Sequence, residues 1–122
     1  MFEAIDDDQL AGACGGIQMR LTQYGYPGDP NSDSNTRRGL GAYRHLDRDS
    51  IALTNAGLRA LGLSRHDVQS APHWVDIRMR GGGILHRRID DRAPQRSMRA
   101  DLYMPSGFNR SYPDYADVML QR

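Results

Sequence analysis

Trp74-Val75-Asp76-Ile77-Arg78-Met79-Arg80-Gly81-Gly82-Gly83-Ile84-Leu85-His86-Arg87-Arg88-Ile89-Asp90-Asp91-Arg92-Ala93-Pro94 is the stretch that decides the fold class. From Trp74 to Arg80 apolar and polar side chains alternate, which is the period of a strand with one buried face. Three consecutive glycines supply a hairpin turn, and Ile84 to Ile89 is the returning strand. The glycine run does not stand between a strand and a helix, so it is a turn and not a phosphate-cradling loop. Asp90 to Pro94 closes the unit.

The same pattern recurs on both sides of this hairpin. Ile17 to Tyr24 alternates at period two and reads as a half-buried strand. Asp49 to Leu53 is a short buried strand. Arg99 to Met104 is another, and Ala116 to Gln121 is the last. Thr54 or Asn55 caps a short helix over Ala56 to Leu61, which Gly62 ends. Ser64 to Gln69 reads as a turn leading toward the next strand. Gly25 to Gly41 is rich in Gly, Pro and Asn and has no aliphatic run; a loop of that length in a small domain is functional or mobile. Residues 1–16, acidic and then Gly/Ala-rich, are expected to form a flexible lead-in, which leaves 17–122 as the folded domain. Six short strands with one or two short helices predict a mainly β protein built as a small barrel.

Composition narrows the function classes. The chain has 122 residues, 39% hydrophobic and 25% charged, with a mean hydropathy of -0.69; that fits one polar domain with enough apolar content to fold. No run of about 18 apolar residues is present, so no membrane span is expected. The N-terminal stretch MFEAIDDDQL is acidic, with no basic segment or apolar run, and is not expected to act as a secretory leader. Sixteen basic residues against 15 acidic ones give a net charge of +1. That balance argues against a nucleic-acid or anionic-membrane binder, whose affinity rests on accumulated positive charge. All 16 basic residues are Arg and all acidic ones but Glu3 are Asp, the mark of a GC-rich coding sequence. The single cysteine, Cys14, excludes an intramolecular disulfide. Leu10 to Cys14 has the look of a lipid-attachment site, but nothing hydrophobic precedes it. His45, His66, His73 and His86 stand at no metal-ligand spacing, so no metal is expected, and no cofactor motif is present.

The candidate chemistry is carboxylate chemistry. Asp90 and Asp91 end a strand, and Asp101 follows ten residues later. Cleaving a glycosidic bond takes a carboxylic acid to protonate the leaving oxygen, and burial or a like-charged neighbour must raise its pKa to keep it protonated. Adjacent strand residues point to opposite faces, so at most one of Asp90 and Asp91 can face a cleft from that strand; the competing reading is that one of them pairs with Arg88 or Arg92 or caps a turn. Tyr24 and Tyr26 beside the Gly-rich loop are suited to stacking on sugar rings, and Asp29 to binding a hydroxyl; the competing reading of Pro27-Gly28-Asp29-Pro30 is ordinary turn chemistry. Arg78, Arg80, Arg87 and Arg88 form either a basic stripe or a solvated sheet face. A Cys14 nucleophile with a histidine base has no local signature behind it.

The stretch Arg87-Arg88-Ile89-Asp90-Asp91-Arg92-Ala93-Pro94, followed by Arg99-Ala100-Asp101-Leu102, resembles the double-psi β-barrel of the rare lipoprotein A and barwin/expansin-like proteins. In that group a strand ends in Asp-Arg-Gly-Pro, and a loop then leads to Arg, a small residue or Ile, Asp and Leu. Here Ala93 replaces the Gly. Thr22-Gln23-Tyr24-Gly25 is similar to the group's opening strand, Asp49 to Leu53 to the segment before its short helix, and Leu61-Gly62-Leu63 with Asp67-Val68 to its Leu-Gly and Gly-Asp-x-Val elements. The resemblance runs from about residue 17 to 121, and the order of the motifs carries it.

The resemblance implies a six-stranded barrel with an open polysaccharide-binding groove, acting on peptidoglycan or a related polysaccharide at the cell wall or periplasm. By position it implies that Asp101 or Asp91 is the general acid and then base of a lytic transglycosylase, with Tyr24, Tyr26, Asp29, Arg92 and Tyr103 along the groove. The group carries a His just after its Ala-Ala step, where this chain has Thr54 or Asn55. A wall-active chain without a leader fits a phage lysin or a toxin exported by a dedicated machine. The alternatives are a non-catalytic glycan-binding module or part of a larger assembly, and a proton-transfer or proteolytic enzyme on the same barrel.

Overall fold

The computed structural model describes residues 16–30 and 42–121. The expected lead-in, Cys14 and most of the 25–41 loop lie outside these residues. Six strands are present: β1 (Gly16–Tyr24), β2 (Ser50–Leu53), β3 (Trp74–Met79), β4 (Ile84–Arg92), β5 (Arg99–Tyr103) and β6 (Tyr115–Leu120). Two one-turn helices, α1 (Asn55–Ala60) and α2 (Arg65–Ser70), lie between β2 and β3.

The strands close into a barrel in the order β1-β5-β2-β4-β3-β6. The β1/β5 and β2/β4 pairs are parallel and the other four antiparallel. This mixed closed barrel is compatible with a double-psi connectivity, and closure leaves no unpaired edge. The alternation read from the sequence fills its interior: Met19, Leu21, Ile51, Leu53, Val75, Ile77, Ile89, Leu102 and Val118 are all buried in one core. No helix of the described residues is long and apolar enough to cross a membrane.

The hairpin forms as expected. Gly81, Gly82 and Gly83 all take positive φ, at 86°, 106° and 93°, a region that side chains rarely tolerate. The Gly82 amide donates to the Met79 carbonyl, and the Met79 amide to that of Gly83.

Thr54 is the N-cap of α1. Its hydroxyl accepts from the Gly57 amide and the Arg99 amide, each at 3.1 Å, so it ties the helix to β5. The turn expected at Ser64 to Gln69 is instead the helix α2. Ser64 accepts from the Asp67 amide while Asp67 accepts from the Ser64 amide, a capping box that converts a polar stretch into a helical turn.

β4 departs from strict alternation. Ile51 of β2 lies opposite Ile89, but the next residue, Ala52, lies opposite Asp91. Asp90 is the extra residue of a β-bulge. It has no exposure to solvent and is held by two guanidinium groups: Arg44 donates at 3.0 Å and Arg88 at 2.8 Å. The buried Ser50 hydroxyl donates to its second oxygen. Arg88 also pairs with Asp47 at 2.6 Å and lies over the Trp74 ring at 5.4 Å. Of the two readings of the hairpin arginines, the basic stripe therefore loses Arg88, which is paired with acids.

A buried charge that loses its counter-ion is costly. Replacing Asp90 with Asn leaves Arg44 and Arg88 without their shared anion and is expected to cost about 3–5 kcal/mol in urea unfolding. Substitution of exposed Arg80, which is bound to none of these groups, is expected to cost less than about 0.5 kcal/mol.

Candidate functional site

The bulge has a direct effect on Asp91. Ile89 points into the core, so strict alternation would send Asp91 inward as well. The extra residue returns it to the outer face, in register with Ala52. Ala52 is also the register partner of Asp101 on β5, and Asp101 is that of Thr22 on β1. Partners in register share a face, so Thr22, Asp101, Ala52 and Asp91 form one row across four strands. Ordinary strand spacing puts the two aspartates about 10 Å apart at Cα. The residue between them ends at Cβ, which leaves the space above it to the acids.

Tyr24 lies two residues after Thr22 and so shares its face. Its register partner is Tyr103, with ring centroids 5.4 Å apart and planes at 54°. From there its hydroxyl donates to Asp91 at 2.8 Å. The second Asp91 oxygen accepts from the Arg92 amide, also at 2.8 Å. The Thr22 hydroxyl donates to Asp101 at 3.0 Å. The turn after β1 flanks this row: Gly25 donates its amide to Asp29 at 2.9 Å, and the Asp29 amide donates to the Tyr26 carbonyl at 3.0 Å. Gly25 and Gly28 take φ of 71° and 85° there. The turn reading of Pro27-Gly28-Asp29-Pro30 therefore holds, and Asp29 also acts on the site by its charge.

The electrostatics divide the acids. Burial pushes the Asp101 carboxyl up to about 6; Thr22 and Arg99 oppose the rise, while the charges of Asp29 and Asp91 add to it. Burial also raises Asp91, against the pull of the Tyr24 hydroxyl, the Arg92 amide and the Arg92 charge. Burial and the neighbouring Asp91 carboxylate push the Tyr24 phenol far above its ordinary range, so it remains a proton donor. Asp101 is thus an acid that holds its proton in mildly acidic solution, beside a second carboxylate fixed by two donors.

The structure brings Asp91, Asp101, Tyr24 and Tyr103 together, with Asp29 at the margin. Arg92 contributes its backbone amide and its charge while its side chain is exposed. Tyr26 packs edge-on against Phe108, with centroids 5.1 Å apart. Asp90 stands apart in its arginine cluster. Thr22 was missed from the sequence, although its place two residues before Tyr24 marks it as sharing that face. Tyr43 was missed too: it follows Ala42, which bridges to Asp91, and its amide donates to the Asp90 carbonyl at 2.6 Å. Burial raises its phenol, with Arg65 and Arg92 opposing. Among the described residues no group of three His, Cys, Asp or Glu side chains is placed to hold a metal ion.

No protein-family model, curated protein or solved structure matches the chain.

A carboxyl whose pKa is higher folded than unfolded favours the fold below the unfolded value and loses that contribution as pH rises through the folded value. For Asp101 that window runs from 3.8 to about 6. Asp101→Asn keeps the shape without the buried charge. It is expected to be more stable than wild type by about 1–2 kcal/mol above pH 6.5, allowing for the partial exposure of this side chain, with the gap closing below about pH 4. Thermal unfolding across that pH range checks it.

Proposed function

We propose that this protein cleaves peptidoglycan glycan strands in the manner of a lytic transglycosylase, with Asp101 as its acid and base. The observation that carries the reading is the row of two carboxyls, one with its pKa near 6 and the other held by Tyr24 and the Arg92 amide. The resemblance of the Asp91-Arg92-Ala93-Pro94 and Arg99-Ala100-Asp101-Leu102 segments to rare lipoprotein A-like wall proteins supports it.

In this mechanism protonated Asp101 gives its proton to the glycosidic oxygen as the bond to C1 breaks. The Asp91 carboxylate, kept in place by its two donors, stabilises the positive charge that develops on the sugar ring. The Asp101 carboxylate then takes the proton of the sugar's own 6-hydroxyl, whose oxygen closes onto C1. The attacking hydroxyl belongs to the substrate, so one carboxyl serves both steps.

One observation favours a second reading, a wall-binding module without catalysis. Thr54 stands near the place where the resembling group has a His, and its hydroxyl is committed to the α1 cap and to the Arg99 amide.

Mass spectrometry of purified peptidoglycan after incubation with the protein separates these readings. The glycan-cleaving reading expects anhydro-sugar products and a fall in rate above about pH 6. Asp101→Asn is expected to lose at least about 100-fold in rate. Asp91→Asn, which removes a negative neighbour of Asp101, is expected to slow cleavage and move the pH limb to lower pH. Walls that pellet the protein but release nothing leave the binding module.

A further inference from the structure

We infer that Tyr26 and Phe108 form an aromatic platform that stacks on the apolar face of a hexosamine ring one position away from the bond held at Asp101. The inference rests on the glycan reading and gives it a substrate-positioning subsite.

Phe108 is 51% exposed and takes no part in the core. An exposed Phe does not by itself mark a site; here the way it is held does. Its ring meets Tyr26 in a near-perpendicular contact, with centroids 5.1 Å apart at 70°. The loop that carries it is fastened at the next residue. The Gln23 side chain donates to the Asn109 carbonyl at 2.9 Å and accepts from the Asn109 amide at 2.8 Å. Asn109 in turn accepts from the Ser111 amide at 2.9 Å, and the Met104 amide donates to the Tyr24 carbonyl at 2.8 Å. Gln23 is the neighbour of Tyr24, so the clamp on Phe108 and the donor to Asp91 come from adjacent positions of β1.

The platform is joined to the acid row through the chain. Tyr26 follows Tyr24, the donor to Asp91, by two residues, on the turn that Asp29 closes by accepting from the Gly25 amide. A rigid aromatic pair suits a neutral pyranose ring, which offers C–H bonds on one face and hydroxyls on its rim. An aromatic ring held in advance binds it at little cost in conformational entropy.

The test uses the full chain, with N-acetylglucosamine tetramer as the soluble probe and isolated wall sacculi for cleavage. Probe binding is followed by NMR shifts of the Tyr26 and Phe108 rings. Phe108→Ala is expected to weaken binding of the probe about tenfold and to raise KM on sacculi by a similar factor, with kcat changed less than about twofold; Phe108→Trp, which keeps a stacking face, is expected to restore both. Asp101→Asn is expected to bind the probe as wild type does. Unchanged binding by Phe108→Ala overturns the platform, and if wild type still cleaves, the glycan-cleaving reading stands without it. A wild type that binds through Phe108 but releases nothing keeps the platform and sinks the cleavage reading. A wild type that neither binds nor cleaves overturns both.

Discussion

A single extra residue in β4 fixes the rest of the arrangement. Asp90 has no register partner on β2, and because of it Ile89 and Asp91 lie on opposite faces where alternation would put them on the same one. Without the bulge one acid of the pair would enter the barrel interior among Ile51, Leu53 and Leu102, where an ionised carboxylate has no means of solvation. With it, Asp90 is neutralised by Arg44 and Arg88, and Asp91 joins the outer row with Asp101. The two neighbouring acids serve different ends: the first holds the segment around Arg44 and Asp47 against the barrel, and the second faces the candidate site.

The order of strands does the remaining work. β2 lies between β5 and β4, so its residue Ala52 has an aspartate on either side. A barrel in which β4 and β5 were remote would separate positions 91 and 101 whatever their distance in sequence. The small side chain at position 52 leaves the two acids close to one another in a poorly solvated patch. That patch is where burial raises both carboxyls, and Tyr24 and Thr22 limit the rise.

Much of the fold was legible in the sequence because strands with one buried face announce themselves by alternation. Trp74 to Met79 and Ile17 to Tyr24 are such cases, and the triple glycine placed the hairpin. The bulge was not legible. Ile89-Asp90-Asp91-Arg92 has no residue that demands one, and the pairing that creates it is with Ser50 to Leu53, some 40 positions away. The α2 helix had a legible signal in the Ser64-x-x-Asp67 capping box, overlooked because the stretch is polar and only one turn long. Within the site, Asp91, Asp101 and Tyr24 were candidates from residue chemistry as well as from the resemblance, Tyr103 came from the resemblance alone, and Thr22 was within reach of the period-two pattern. Phe108 carried no signal: a lone Phe between Gly107 and Asn109 gives no hint that Gln23 fastens its loop from β1.

The claim on which the account depends is that the bulge and the strand order place Asp91 and Asp101 in one poorly solvated row. Carboxyl carbon-13 NMR on the wild-type protein, titrated from pH 2.5 to 8, measures this directly. The account predicts that Asp101 titrates near 6 and that Asp91 titrates above the ordinary aspartate value of 3.8. If both carboxyls titrate at or below 3.8, the row is solvated, and neither residue is the acid that the site is built to hold.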